Sequence, residues 1–146
     1  MTPIFHITHC RNLERIVESG CLWCDQQAAI RGANPVGIAH SHIKERRARR
    51  IVPLAAGGKL ADYVPFYFAP RSPMLFAIYK GNVQEYTEGQ DEIIYLVSTF
   101  EIAASLGVPW CFTDGHAEIA YSEYFDNVES LGKNRLDHHE GGVLGG

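Results

Sequence analysis

The sequence predicts an α+β domain in which short strands alternate with short helices. Ile4 to Thr8 (IFHIT) and Ile93 to Phe100 (IIYLVSTF) are rich in β-branched and aromatic residues, which favour strands. Between them, Asp62 to Gly81 changes from a strand-like aromatic run to apolar residues at helical spacing. A chain of 146 residues suits one domain, which we expect to span 1–146 with a loose tail at about 137–146.

A helix and a long loop are expected after the first strand. Asn12 can cap this helix and Gly20 can end it. Its apolar residues form one stripe, made of Leu13, Ile16 and Val17. From Asp25 to His40 no periodicity is present, and irregular segments of this length in compact domains are usually functional or disordered. We therefore expect a functional loop in this segment.

A basic helix is predicted after the loop. Ser41 can cap a helix that runs to about Arg50. At 100° per residue, one face of this helix carries Ile43, Arg46, Arg47 and Arg50. Five of the 13 Lys and Arg residues lie within Lys44 to Arg50, although the formal net charge of the chain is −4. The net charge argues against a protein that coats nucleic acid by bulk electrostatics, whereas the helix forms a local positive ridge.

The central stretch predicts a strand, a tight corner and a short helix. Val64 to Phe68 favours a strand, and Pro65 marks it as an edge strand or the start of one. Ser72 is a candidate N-cap that places Pro73 at the first helical position. This corner would lift Arg71 and Met74 to the lip of a pocket.

The last third of the chain predicts a surface loop, a core strand, two helices and one more strand. In order, these are the loop Gly81 to Gln90, the core strand Ile93 to Phe100, a short helix over Glu101 to Leu106, a strand over Pro109 to Thr113, and a helix over Ala117 to Leu131. Asp114-Gly115-His116 is expected to form a turn. Four glycines in the last six residues favour a frayed tail.

Several classes of protein are disfavoured by what the sequence lacks. No apolar run approaches the roughly 20 residues that span a bilayer, and the N-terminus lacks the basic start of a signal peptide. We therefore expect a cytoplasmic protein with no membrane partner. Glycine-rich dinucleotide or phosphate loops, a serine elbow and His-Glu-x-x-His are also absent from the sequence.

The four cysteines leave one metal hypothesis open. Cys21 and Cys24 have the two-residue gap of a zinc knuckle, which would make the chain an interaction module. Cys10 and Cys111 stand apart, so the second half of such a motif is missing. We therefore favour reduced thiols and no metal, and metal analysis of the purified protein tests the alternative.

Four sequence segments occur in this order along the chain: PIFHITHCRNLERIVESGCL, IAHSHIKERRARRIVP, GGKLADYVPFYFAPRSPMLFAIYKG and PWCFTDGHAE. Together they resemble the DarT-type DNA ADP-ribosyltransferases, toxins of bacterial toxin–antitoxin pairs, from Pro3 to about Leu136. The resemblance implies an ADP-ribosyltransferase-like split antiparallel sheet flanked by short helices. It also implies transfer of ADP-ribose from NAD to thymidine bases in single-stranded DNA, and a macrodomain glycohydrolase as the cognate antitoxin.

The resemblance assigns NAD-contacting positions to His6, Ile7, Thr8, Arg47 and Met74. The stretch from Asp25 to Arg49 resembles the family's NAD-binding loop-helix. Arg47 also stands where the family carries a catalytic arginine. A neutral strand histidine can hydrogen-bond a ribose hydroxyl, and a fixed guanidinium can favour loss of the thymidine N3 proton by stabilising the resulting anion. If His6 is considered by itself, the alternative is a structural histidine whose hydrogen bonds are all made inside the core. The surrounding sequence HITH favours the binding role.

DNA contacts are expected from the basic residues near this site. His116 opens the loop that presents the substrate in the family. Arg46, Arg49 and Arg50 could bind DNA phosphates, and a solvated basic face is an equal alternative for them. Arg71 could meet phosphate or cap local carbonyls.

The chain departs from the family pattern after Leu136. The family completes its site with a glutamate on a later strand, which no residue here matches, so we expect a C-terminally truncated domain. Losing such a preorganised group typically costs about 100-fold to 1,000-fold in rate. The candidates for a substitute are Glu118, Glu123, Glu129 and Glu140. The alternative function is therefore an inactive remnant that binds NAD or single-stranded DNA.

Overall fold

A computed structural model describes residues 1–33, 35–115, 122–132 and 143–145 of the chain. The strands are β1 (Pro3–His9), β2 (Tyr63–Val64), β3 (Ile93–Thr99), β4 (Trp110–Thr113), β5 (Tyr124–Phe125) and β6 (Val143–Gly145). The α-helices are α1 (Leu13–Ser19), α2 (Asp25–Ile30), α3 (Ser41–Arg49), α4 (Pro73–Tyr79) and α5 (Phe100–Ala104). Short 3-10 turns cover Cys10–Asn12, Leu60–Asp62 and Val128–Gly132. In these residues no helix is both long and apolar enough to cross a membrane.

The strands form two small antiparallel sheets that one segment connects. β1 pairs with β3 along its full length, and the second sheet has the order β2-β6-β4-β5. Tyr63 and Val64 pair with β6, whereas Tyr67 exchanges two backbone hydrogen bonds of 2.8 Å with Phe5 of β1. The chain therefore leaves one sheet and joins the other around Pro65. This arrangement confirms the predicted α+β class with a split antiparallel sheet.

Proline explains why the central strand is shorter than predicted. The sequence predicts a strand over Val64 to Phe68, but pairing stops after β2 and resumes only at Tyr67. Pro65 has no backbone N–H to donate, so it interrupts a ladder of hydrogen bonds. The predicted corner is confirmed, because the Ser72 hydroxyl accepts the Leu75 N–H at 3.1 Å and α4 begins at the next residue.

Three apolar clusters hold the sheets and helices together. The first joins β1, α5 and β4, and its buried members are Ile4, Phe100, Ala103, Phe112 and Leu131. The second lies between β1 and α4 and contains Ile7, Ile38, Ile78, Val83 and Tyr86. The third lies beneath β2 and contains Val52, Leu60, Tyr63 and Cys111.

The first half of the predicted loop from Asp25 to His40 is wrong, because it contains α2. The Cys24 sulfur accepts the Gln27 N–H at 3.4 Å and caps this helix. Ala28 is its buried residue. Six residues are fewer than two helical turns, so an apolar period cannot be recognised in the sequence.

Two predicted helix caps act differently in the structure. The Asn12 side chain makes no capping bond to α1, and Ser41 is the first residue of α3 rather than its N-cap. The helix that Asn12 precedes is confirmed, and it ends at Gly20 in the left-handed conformation with φ of 67°. Its expected apolar stripe is not buried, since Val17 is 70% exposed.

The sequence predicts that β3 is a core strand, and the structure corrects this prediction. β3 has one strand partner among the described residues, and Val97 on it is 63% exposed, so β3 is an edge strand. The polar loop before it is confirmed as a loop, yet it contributes the buried side chains of Val83 and Tyr86. The predicted helix and strand that follow β3 are confirmed as α5 and β4, with small shifts at their ends.

The predicted helix over Ala117 to Leu131 is wrong in its described part. Residues 122–132 contain β5 and a 3-10 turn. The predicted frayed tail is also wrong at 143–145, because β6 inserts between β2 and β4. The remaining residues of the predicted helix and of the predicted tail lie outside the described ranges.

We expect Phe112→Ala to destabilise the protein by about 3–5 kcal/mol, because Phe112 is 1% exposed and packs against Phe68, Phe100 and Phe125. Urea denaturation followed by circular dichroism measures this change. Phe76→Ala is the matched control, since Phe76 is 61% exposed, and its expected effect is within about 0.5 kcal/mol. Equal effects of the two substitutions would contradict the assignment of the core.

Candidate functional site

A cavity of about 470 Å³ lies beside the point where the chain passes from one sheet to the other. Its walls come from β1, α1, the start of α2, the segment 35–40, α3, and α4. This volume lies within the range of about 300–1,000 Å³ that is usual for ligand pockets. All five residues predicted to contact NAD line it, namely His6, Ile7, Thr8, Arg47 and Met74.

His6 is held as a neutral ring with a defined tautomer. Its Nδ1 lies 2.8 Å from the Pro65 carbonyl oxygen, and because a carbonyl only accepts, Nδ1 carries the proton. Burial lowers the pKa of His6, against the opposing effects of the Pro65 carbonyl and the Asp25 carboxylate, while Arg47 lowers it further. At neutral pH, Nε2 is therefore a hydrogen-bond acceptor, and no described residue donates to it.

Arg47 is fixed on α3 by main-chain carbonyls. Its Nη2 donates to the oxygens of Leu60 at 3.0 Å and Tyr63 at 3.1 Å. These carbonyls are neutral, so they orient the guanidinium without cancelling its positive charge. The arginine therefore presents a fixed cation to the same cavity as His6.

The other predicted arginines do not line this cavity. Arg46 is exposed on α3, and Arg50, at the end of α3, hydrogen-bonds the Tyr124 side chain. The prediction that the corner lifts Arg71 to the lip of the pocket is not met, because Arg71 is exposed outside the cavity lining whereas Met74 is part of it. His116 lies outside the described residues. The DNA-binding roles of these four residues stay predictions.

Three further charged residues line the cavity, and sequence reasoning gave them no individual role. They are Arg15, Asp25 and Lys44. Arg15 lies on α1, Asp25 begins α2, and Lys44 lies on α3, one turn before Arg47. Two signals were available. The stretch from Asp25 to Arg49 resembles the family's NAD-binding loop-helix, and the spacing of Lys44 and Arg47 places both on one side of a helix.

Side-chain hydrogen bonds from distant parts of the chain hold the cavity walls. The Asn12 amide donates to Thr8 Oγ1 at 3.1 Å and to the Val36 carbonyl at 3.0 Å. It also accepts the Val36 N–H at 2.8 Å. Asn12 therefore ties the segment 35–40 to β1, which explains why its side chain does not cap α1.

The loop before β3 braces both β1 and α3. Ser41 donates its backbone N–H and its hydroxyl to Glu85, at 3.2 Å and 2.5 Å, and the hydroxyl lowers the pKa of that carboxyl. Arg11 forms an ion pair with Glu88. The buried His9 ring accepts the Arg11 N–H on Nδ1, so its Nε2–H donates to Glu88 at 3.1 Å. One loop thus fixes α3 relative to β1.

The cysteines are free thiols in different environments. Cys24 is buried at the start of α2, whereas Cys21 is exposed. Cys10 donates its thiol to Glu92 at 2.7 Å. Burial raises the pKa of Cys111 to about 11. Within the described ranges, no three His, Cys, Asp or Glu side chains are grouped as metal ligands.

The family model described as ssDNA thymidine ADP-ribosyltransferase, DarT, matches residues 5–138. The chain belongs to the DarT family. The match confirms the resemblance that the four sequence segments indicate.

Curated DarT relatives extend beyond the aligned region. A DNA ADP-ribosyl transferase of Thermus sp. (strain 2.9) is 46% identical over 130 residues, covering 89% of this chain and 60% of the relative. One of Escherichia coli O127:H6 is 37% identical over 128 residues, covering 88% of this chain and 58% of the relative. The chain thus spans about 60% of the length of these relatives.

Solved DarT structures share the fold. Thermus sp. 2.9 DarT in complex with NAD+ has a TM-score of 0.80 at 35% identity, covering 99% of this chain and 74% of that one. The same protein in complex with ADP-ribosylated ssDNA has a TM-score of 0.86 at 38% identity and the same coverage. These matches confirm the ADP-ribosyltransferase-like fold that the resemblance implies.

We expect His6 to make stability fall as pH decreases from about 7.5 to 5.5. Because folding lowers its pKa from 6.5, the unfolded chain binds the proton first, and the penalty at pH 5.5 is at most about 1.4 kcal/mol. In His6→Asn, the side-chain amide can still donate to the Pro65 carbonyl but does not titrate. Urea denaturation at both pH values should give a smaller loss of stability for the variant. An equal loss in both proteins would contradict the neutral buried ring.

Proposed function

We propose that this chain binds NAD in the cavity and, as a DarT domain, transfers ADP-ribose to thymidine bases of single-stranded DNA. One observation carries the proposal: His6 and Arg47 line the same cavity, one with a fixed acceptor nitrogen and the other with a fixed cation. The fold shared with a DarT solved with NAD+ supports it.

The lining of the cavity fits a dinucleotide. A pyrophosphate needs cations, which Arg15, Lys44 and Arg47 supply. A ribose hydroxyl can donate to His6 Nε2, because that nitrogen carries no proton and no described residue uses it. The remaining lining is largely apolar and includes Trp23 and Met74, which suits flat aromatic rings.

The proposed transfer breaks one bond to carbon and forms another. The bond between nicotinamide and C1′ of its ribose breaks, and the electron pair leaves with nicotinamide. The thymine N3 atom forms the new bond to C1′ and loses its proton to solvent water. The Arg47 guanidinium stabilises the negative charge that develops on the thymine ring as that proton leaves, because its position is already fixed by the Leu60 and Tyr63 carbonyls.

The expected DNA contacts and partner belong to the same proposal. Arg46, Arg50 and Arg71 would hold the phosphates of the strand, and His116 would act from the substrate loop. Family membership supports a macrodomain glycohydrolase as the antitoxin that removes the ADP-ribose. It also supports a toxin acting in the cytoplasm, where NAD and replicating DNA are available.

A second candidate function is binding of NAD or single-stranded DNA without turnover. It is favoured by the absence of any glutamate from the described cavity lining, in which Asp25 is the one carboxylate. Glu123 and Glu129 are exposed and lie outside that lining. Glu118 and Glu140 fall outside the described residues. Transfer would then be slower than in a domain with a preorganised glutamate by about 100-fold to 1,000-fold.

The two candidates are separated by one pair of measurements. The protein is incubated with NAD and a single-stranded oligonucleotide containing one thymidine, and with a control in which cytidine replaces that thymidine. Mass spectrometry should detect one added ADP-ribose on the first oligonucleotide alone. Calorimetric titrations with NAD and with the oligonucleotide are run in parallel. Binding without an adduct favours the second candidate, and no binding of NAD or DNA rejects both.

Arg47→Lys should reduce the rate of adduct formation by about 100-fold or more, while the dissociation constant for NAD changes by less than about 10-fold. Lysine keeps the positive charge but cannot reproduce a planar guanidinium held by two carbonyls. Adduct formation is followed by mass spectrometry over time. Arg49→Lys is the matched control, because Arg49 is an exposed residue of the same helix outside the cavity lining and lysine keeps the charge for any phosphate contact. A similar loss of rate in the control would refute a specific role for Arg47.

A further inference from the structure

The Asp25 carboxylate lines the cavity but has no role in the chemistry proposed above. It is exposed, and in the described part of the chain it takes part in no hydrogen bond or ion pair. The backbone at Asp25 is nevertheless held in place, because Asp25 is the first residue of α2 and follows the buried Cys24. It also lies near enough to His6 to raise the pKa of the imidazole against the effect of burial.

Asp25 gives one part of the cavity a negative charge, whereas the rest of the charged lining is positive. The other permanently charged lining residues are cations, namely Arg15, Lys44 and Arg47. Phosphate groups are attracted to those cations and repelled by the carboxylate, so the part of the cavity near Asp25 suits a neutral group with hydrogen-bond donors. A ribose has two adjacent hydroxyls. One can donate to His6 Nε2 and the other to the carboxylate, which only accepts.

The residues beside Asp25 indicate which ribose this is. Leu22 and Trp23 also line the cavity. The Arg31 guanidinium lies 3.8 Å from the centre of the Trp23 ring, a cation–π contact that holds the indole in place. A fixed aromatic ring with apolar neighbours suits the adenine base. We assign the adenine base to this ring, which makes the ribose nearest to Asp25 the adenosine ribose.

We propose that Asp25 makes the cavity select NAD over NADP. In NADP, a phosphate replaces the 2′-hydroxyl of the adenosine ribose. That replacement removes one hydrogen-bond donor and brings negative charge against the carboxylate. An acidic residue beside an adenosine ribose acts in this way in other dinucleotide sites. The inference rests on the proposed function, because it requires a dinucleotide in this cavity.

The test compares NAD and NADP binding by calorimetric titration in the unmodified protein and in two matched variants. Asp25→Asn removes the charge while its amide oxygen can still accept a hydroxyl proton. Asp91→Asn makes the same change at an exposed aspartate outside the cavity lining. Asp25→Ser repeats the charge removal with a residue that is favourable at the start of a helix, should the asparagine variant be unstable.

The unmodified protein should bind NAD about 10-fold to 100-fold more tightly than NADP. Asp25→Asn and Asp25→Ser should reduce this ratio by about 5-fold or more, mainly through tighter binding of NADP, and Asp91→Asn should leave it unchanged. If NAD binds but the unmodified protein does not prefer it, or if the ratio survives both Asp25 substitutions, the selectivity role is wrong and the proposed function stands. If neither dinucleotide binds to the unmodified protein, both are overturned.

Discussion

The hydrogen bond between His6 Nδ1 and the Pro65 carbonyl joins the two sheets beside the cavity. The segment after β2 is also tied to β1 by the backbone pair between Phe5 and Tyr67. The bond also determines the tautomer of His6, and thus which ring nitrogen can accept a hydrogen bond from a ligand. Proline contributes by ending the pairing of β2 at this point, which frees its carbonyl for the side chain.

The same segment orients both residues on which the proposed function depends. Leu60 and Tyr63 direct their carbonyls to Arg47, and Pro65 directs its carbonyl to His6. Leu60 and Tyr63 are buried in the third apolar cluster, so packing fixes the carbonyl positions. Main-chain acceptors are insensitive to side-chain identity as long as the backbone keeps its path. The orientation of His6 and Arg47 is therefore a consequence of core packing, which positions their main-chain acceptors.

Sequence reasoning predicted the elements whose signals are local. Alternation identifies β1, the Ser72-Pro73 pair identifies the start of α4, and the resemblance identifies His6 and Arg47 as neighbours of one ligand. It failed where the deciding partner is distant in the chain. Asn12 and Ser41 have the chemistry of helix caps, but Asn12 binds Val36 and Ser41 binds Glu85. Similarly, β6 is a strand because β2 and β4 provide edges on both sides of it, which its glycine-rich sequence does not indicate.

The charge distribution reconciles an acidic chain with an anionic ligand. The net charge is −4, so the protein as a whole does not attract phosphates or DNA. Charges separated by more than about 8 Å in solvent are largely screened at physiological salt, whereas the charges that line the cavity act on a ligand at short range. Arg15, Lys44 and Arg47 therefore determine what the cavity attracts, almost independently of the acidic surface elsewhere. Among the described lining residues, Asp25 is the one carboxylate beside three cations, so it has a large influence on which part of a ligand lies near it.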